Sequence, residues 1–158
     1  MWRALGLLLI LLLPYRILAA QPAQDDVIPV ALQTVQAGAA STLQLNLHFP
    51  PGYHLNPRAP FLYTVRISGP GLSIAEADRQ RELIAPTLPL VIHFQTTSAM
   101  SQATLDIATT FYYCREDDTG LCVMQDVRWQ VPVQVTPAAP SRDVLVSYQA
   151  EVPVVQKE

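Results

Sequence analysis

The stretch Leu105-Asp106-Ile107-Ala108-Thr109-Thr110-Phe111-Tyr112-Tyr113-Cys114-Arg115-Glu116-Asp117-Asp118-Thr119-Gly120-Leu121-Cys122-Val123 decides the fold, together with the run from Val127 to Val135 that follows it. Apolar residues alternate into the first cysteine (Leu105, Ile107, Phe111, Tyr113) and out of the second (Leu121, Val123, Val127, Trp129, Val131, Val133, Val135). A period of two predicts two long β-strands joined as a hairpin. The connection is charged and ends in Thr119-Gly120, and glycine lets a chain reverse with positive φ at no steric cost. Cys114 and Cys122 are the only two cysteines, one near each end of this connection, so they can meet.

Outward from the hairpin the same period recurs in shorter pieces. Val27 to Val35 predicts a first strand. Leu43, Leu45, Leu47 and Phe49 alternate with Gln44, Asn46 and His48, the pattern of a strand with one wet and one buried face, and Pro50-Pro51-Gly52 ends it. Phe61, Tyr63, Val65 and Ile67 form another such set up to Gly69-Pro70-Gly71. Leu72 to Ala77 and Leu88 to Thr96 predict two more strands, and Glu76 to Glu82 is the one place for a helical turn. Seven or eight short strands with 14 prolines and almost no helical periodicity predict an all-β, antiparallel β-sandwich. The domain spans about residues 25–136. Beyond Pro137-Ala138-Ala139-Pro140, residues 137–158 are a C-terminal tail or an edge strand, and the Pro-Ala opening and charged end favour the tail.

Residues 1–20 have the layout of a secretory signal peptide: Arg3, then the apolar run Ala4 to Leu13, then Leu18-Ala19-Ala20 as the cleavage end. Ten apolar residues fall well short of the roughly 20 that a membrane-crossing helix needs, so the expectation is export without stable membrane insertion after cleavage, against the alternative of an uncleaved anchor. The chain is thus expected to be periplasmic or secreted, where two cysteines default to a disulfide. Arg3 and Arg16 leave with the leader, which takes the formal charge from −3 to −5. An acidic chain with no basic patch is a poor ligand for nucleic acid or anionic lipid, and that class is dropped.

The chemistry of the hairpin tip follows from its charges. A thiolate is favoured by nearby positive charge, and Glu116, Asp117 and Asp118 outnumber Arg115. Unless Arg115 folds back over Cys114, the pair is a disulfide that waits to be attacked or one that is never attacked. As a staple its nine-residue loop contributes roughly 2–3 kcal/mol in the chain-entropy model. Other sites are weaker. His48, His54 and His93 show no ligand spacing and no metal or other cofactor is implied. No nucleophile elbow or phosphate loop appears, and Tyr112, Tyr113 and Trp129 fit core or half-buried positions better than a ligand cage.

The combination Pro50-Pro51-Gly52-Tyr53-His54-Leu55-Asn56-Pro57, Ala59-Pro60, Tyr112-Tyr113-Cys114, Cys122, Arg128-Trp129 and Val131-Pro132-Val133 resembles the DsbD N-terminal-domain-like family. It is closest in flavour to the version at the C-terminal end of bacterial NHL-repeat proteins with a thioredoxin-like domain. The resemblance implies an immunoglobulin-like sandwich, a redox pair Cys114 and Cys122 with Tyr113 beside it, and a thioredoxin-like or membrane redox protein of the envelope as partner. It also places His54 and Asn56 near the cysteines, although Asn56-Pro57 suits a turn. The chain departs from the family in its longer loop between the cysteines, and it carries no thioredoxin-like or transmembrane segment to feed the pair. Two functions stay open: a thiol:disulfide interchange module, or a non-catalytic interaction module with a static disulfide.

Overall fold

The computed structural model describes residues 27–117 and 120–153. The leader expected at 1–20, with its apolar run, lies outside them, as do Asp118 and Thr119. In chain order the elements are β1 (Val27–Pro29), β2 (Gln33–Gln36), β3 (Ala40–His48), β4 (Tyr53–Leu55), β5 (Pro60–Ser68), β6 (Leu72–Ser73), α1 (Glu76–Arg79), β7 (Gln80–Ile84), β8 (Leu90–Thr96), β9 (Ser101–Arg115), β10 (Cys122–Thr136) and β11 (Asp143–Gln149). They form two sheets packed as a β-sandwich. One runs β1-β10-β9-β5-β7, with β2 also on β10 and β4 also on β9, and the other runs β11-β3-β8-β6.

The expected hairpin is the spine of the larger sheet. β9 and β10 are 15 residues each and pair without interruption from Cys114 opposite Cys122 to Ser101 opposite Val135. Odd-numbered side chains of both strands turn inward: Leu105, Ile107, Phe111, Trp129, Val131 and Val133 are all at most 2% exposed. They meet Leu43 and Leu45 of β3, Ile92 and Phe94 of β8, and Val144 and Val146 of β11 across the sandwich. Even-numbered side chains of β9 and β10 face outward.

The sheets are mixed where the sequence predicted antiparallel pairing throughout. β1 and β2 both run parallel to β10, and β11 runs parallel to β3. The predicted strand from Val27 to Val35 is broken in two, and Pro132 supplies a reason. Arg115 N donates to Leu121 O, so odd residues of β10 bond to β9 and even ones point to the other flank, where Val30 N donates to Gln130 O. At Pro132 that flank has no N–H to offer, and there the partner strand is interrupted between Pro29 and Gln33.

Residues 137–153 take the edge-strand alternative and not the favoured tail. Gln36 N donates to Ser141 O, Thr42 N to Arg142 O, and β11 then lies along β3 from Asp143 opposite Thr42 to Gln149 opposite His48. Val144 is fully buried and Val146 and Ala150 nearly so. Trp129 Nε1 donates to Ser147 O at 3.3 Å, tying the strand to the opposite sheet. The expected helical turn occupies only Glu76–Arg79, after which the chain goes extended as β7 on β5.

Because β11 buries Val144 and Val146, a chain of residues 21–140 is at least about 3 kcal/mol less stable than one of residues 21–158 from valine burial alone. Urea denaturation monitored by Trp129 fluorescence should show a large drop in midpoint. Equal midpoints for the truncated and full chains would restore the tail.

Candidate functional site at the hairpin tip

Cys114 and Cys122 stand directly opposite each other on β9 and β10, with Cα atoms 4.0 Å apart and the sulfurs bonded at 2.07 Å. The hydrogen-bonded pair is the next one out, Arg115 with Leu121, so the cysteines occupy a narrow, non-hydrogen-bonded position where opposed side chains approach most closely. Being even-numbered, both point to the outer face, away from the core. Their exposure is unequal: Cys114 is 8% exposed, whereas Cys122 is an exposed residue.

On the far side of β9, β4 pairs His54 with Cys114, so His54, Cys114 and Cys122 form one row across three strands on the outer face. The next row inward sets Tyr112 opposite Met124, which is 56% exposed. β4 and β5 are one strand path along β9 interrupted by extra residues. Leu55 faces Tyr113 and Leu62 faces Thr110, so seven steps on one side match three on the other. The excess loops out around Asn56. Asn56 N donates to Tyr112 O at 2.8 Å, its Oδ1 accepts from Arg58 N at 2.9 Å as an Asx-type turn, and its Nδ2 lies 4.0 Å from Cys122 Sγ. Asn56 therefore serves both the turn and the sulfur site.

The charges at the tip resolve the question of Arg115. Its Nε is 2.9 Å from Asp117 Oδ2, both side chains about half exposed, so the guanidinium is engaged by the acidic loop. Glu116 is held through its backbone, N to Gly52 O at 2.8 Å. Positive charge is thus balanced locally, and the field at the sulfurs gains little help toward a thiolate.

Tyr113 lies on the opposite face from the sulfurs. It is 2% exposed, its ring packs with Phe49, Tyr53 and Phe111, and its hydroxyl donates to Glu151 O at 2.8 Å. Burial pushes its pKa up, reinforced by Tyr148, Tyr53 and Glu151. Burial likewise raises Tyr63 and Tyr148. Trp129 is a core residue and Tyr112 is half-buried. His48 and His93 sit exposed on β3 and β8, in the other sheet from the cysteine row. Among the described residues no three His, Cys, Asp or Glu side chains converge as metal ligands would. Met124 was not singled out by the sequence reading; its even number, two past Cys122, was the available signal.

No family model matches the chain, and no curated protein matches it. The chain is a disulfide-bearing, two-sheet β domain, and what that disulfide does must be argued from its surroundings.

The raised tyrosines set an alkaline limit. The folded state favours the neutral phenols of Tyr63, Tyr113 and Tyr148, so this contribution is complete below the ordinary tyrosine value of about 10 and is lost as pH rises through their higher folded values. Ultraviolet titration should show these phenols ionising late and together with unfolding. Tyr113→Phe should remove part of the alkaline loss, while costing about 0.5–1.5 kcal/mol at neutral pH for the bond to Glu151. An unchanged alkaline profile in that variant would refute the assignment.

Proposed function

We propose that this chain is an exported thiol:disulfide interchange module of the DsbD N-terminal-domain-like kind, exchanging electrons between Cys114–Cys122 and a thioredoxin-like dithiol of the envelope. The observation that carries this reading is the asymmetry of the disulfide: an exposed sulfur residue, Cys122, bonded to a buried one, Cys114, on the open face of the sheet. A disulfide meant only to tie strands has no need to present one half to solvent. Tyr112 and the exposed Met124 form an adaptable, partly apolar collar against which a partner can rest.

Exchange then has a defined direction of approach. A partner thiolate attacks Cys122 Sγ, the S–S bond breaks, and its electron pair leaves on Cys114 Sγ, which takes up a proton. The partner's second thiolate then attacks the partner sulfur of the mixed disulfide and Cys122 leaves, taking the second proton. Two electrons and two protons pass from the partner dithiol to this pair, and the reverse sequence discharges it.

The loop charges favour a second reading, a static disulfide in a non-catalytic interaction module. Glu116 and the Arg115–Asp117 pair give the reduced cysteines little thiolate stabilisation, so an inert bond worth roughly 2–3 kcal/mol is the rival.

Equilibration of the mature protein against redox buffers, read by mass after thiol labelling, separates the two. Interchange predicts a potential within about −120 to −270 mV, and a static staple one below about −300 mV. With a single-cysteine thioredoxin-like protein activated at its thiol, Cys114→Ser should form a mixed disulfide through Cys122 at least about tenfold faster than Cys122→Ser does through the buried Cys114. Equal rates, or no adduct with either, would remove the asymmetry as an argument for exchange.

A further inference from the structure

We infer that Asn56 is the hydrogen-bond donor that stabilises Cys122 as a thiolate, an inference that rests on the interchange reading for its use but on local geometry for its existence. Asn56 is held at three points: its backbone N on Tyr112 O at 2.8 Å, its Oδ1 on Arg58 N at 2.9 Å, and its Nδ2 4.0 Å from Cys122 Sγ. The bond from Arg58 N requires an oxygen at Oδ1, and this fixes the orientation of the amide that geometry alone leaves ambiguous. The –NH2 group must then face the sulfur. At 4.0 Å it is at the long end of an N–H···S contact to a neutral disulfide, and a thiolate, carrying full charge, attracts the same donor more strongly.

The surroundings give this amide a purpose. Cys122 is faced by Cys114 and His54 in its own row, by Tyr112 and Met124 in the next, and by Asp126 further along β10. The loop contributes Glu116 and the Arg115–Asp117 pair, and Arg58 lies in the Asn56 turn. The net field is not one that favours an anion. A neutral donor can favour the thiolate without adding charge, because hydrogen bonding to the ionised form lowers a pKa. In the exchange, Asn56 acts when Cys122 leaves the mixed disulfide as a thiolate, and equally when Cys122 attacks in the reverse direction. The electron pair is on Cys122 Sγ at both moments.

Two substitutions separate this role from the turn. Asn56→Asp keeps an oxygen for Arg58 N and replaces the donor by a negative charge, whereas Asn56→Ala loses both. In the full mature chain reduced with a phosphine, the pH dependence of Cys122 alkylation is followed by peptide-resolved mass spectrometry, with thermal melting as the measure of folding. A donor role predicts the Cys122 pKa in the order wild type, Ala, Asp. The Asp variant should hold about tenfold less thiolate at neutral pH, equivalent to about one pKa unit. A turn role predicts instead that Ala keeps the wild-type Cys122 pKa and only lowers the melting temperature, and that result overturns the inference. Exchange with a thioredoxin-like dithiol is measured alongside. If wild type exchanges and the order fails, the Asn56 role falls alone. If the order holds and wild type does not exchange, the interchange reading falls and the Asn56–thiolate bond stands.

Discussion

The register of the β9–β10 ladder is the constraint on which the rest of this structure depends. Side chains alternate strictly along paired strands, so a slip of one residue would turn every buried position outward. Here the odd positions carry Leu105, Ile107, Phe111, Trp129, Val131 and Val133, all buried, and the even positions carry both cysteines. The core and the disulfide thus specify the same register from opposite faces. Core burial fixes which residues face inward, and the sulfur bond at the tip closes the far end of a ladder whose connection is largely charged.

Around that ladder, segments distant in sequence are fastened at the tip from both faces. On the outer face β4 and the Asn56 turn reach the sulfurs. On the inner face the chain leaving β11 reaches Tyr113, whose hydroxyl holds Glu151 O, while Tyr148 packs edge-on against Phe111 and Trp129. Cys114 and Tyr113 are neighbours in sequence that serve different halves of the molecule. The aromatic side stabilises the sandwich and the sulfur side is left open. This division explains how Cys122 can stay exposed without opening the core.

What the sequence made legible is whatever period two encodes over enough residues. β3, β5, β8 and the long hairpin each offer several alternations, and the structure has them with the expected faces inward. β4 has three residues between Pro51-Gly52 and Asn56-Pro57, too few for a period to register; only pairing with β9 makes it a strand. β7 carries Gln80, Arg81 and Glu82, a polar edge whose extended form comes from β5. β11 follows a Pro-Ala hinge typical of a domain exit, and its Val144 and Val146 were the signal that outweighed the hinge. At the site, the cysteine pair was readable from count and position. The row His54–Cys114–Cys122 was not, because it depends on a cross-strand register between segments some 60 residues apart.

The electrostatics of the tip bear most directly on function. Arg115 is the cation next to Cys114 in the chain, and had it lain over the sulfurs a low-pKa thiolate would follow from charge alone. Instead it is paired with Asp117, and the group brought to the sulfur is a neutral amide. A reactive cysteine of the kind that initiates chemistry needs standing positive charge. A disulfide that answers a partner needs an exposed cysteine to be attacked and, when the mixed disulfide resolves, a donor beside that same sulfur as it departs, since the nucleophile comes from outside. On the interchange reading proposed above, Cys122 and Asn56 meet that lesser requirement, and the burial of Cys114 disfavours attack on the other sulfur.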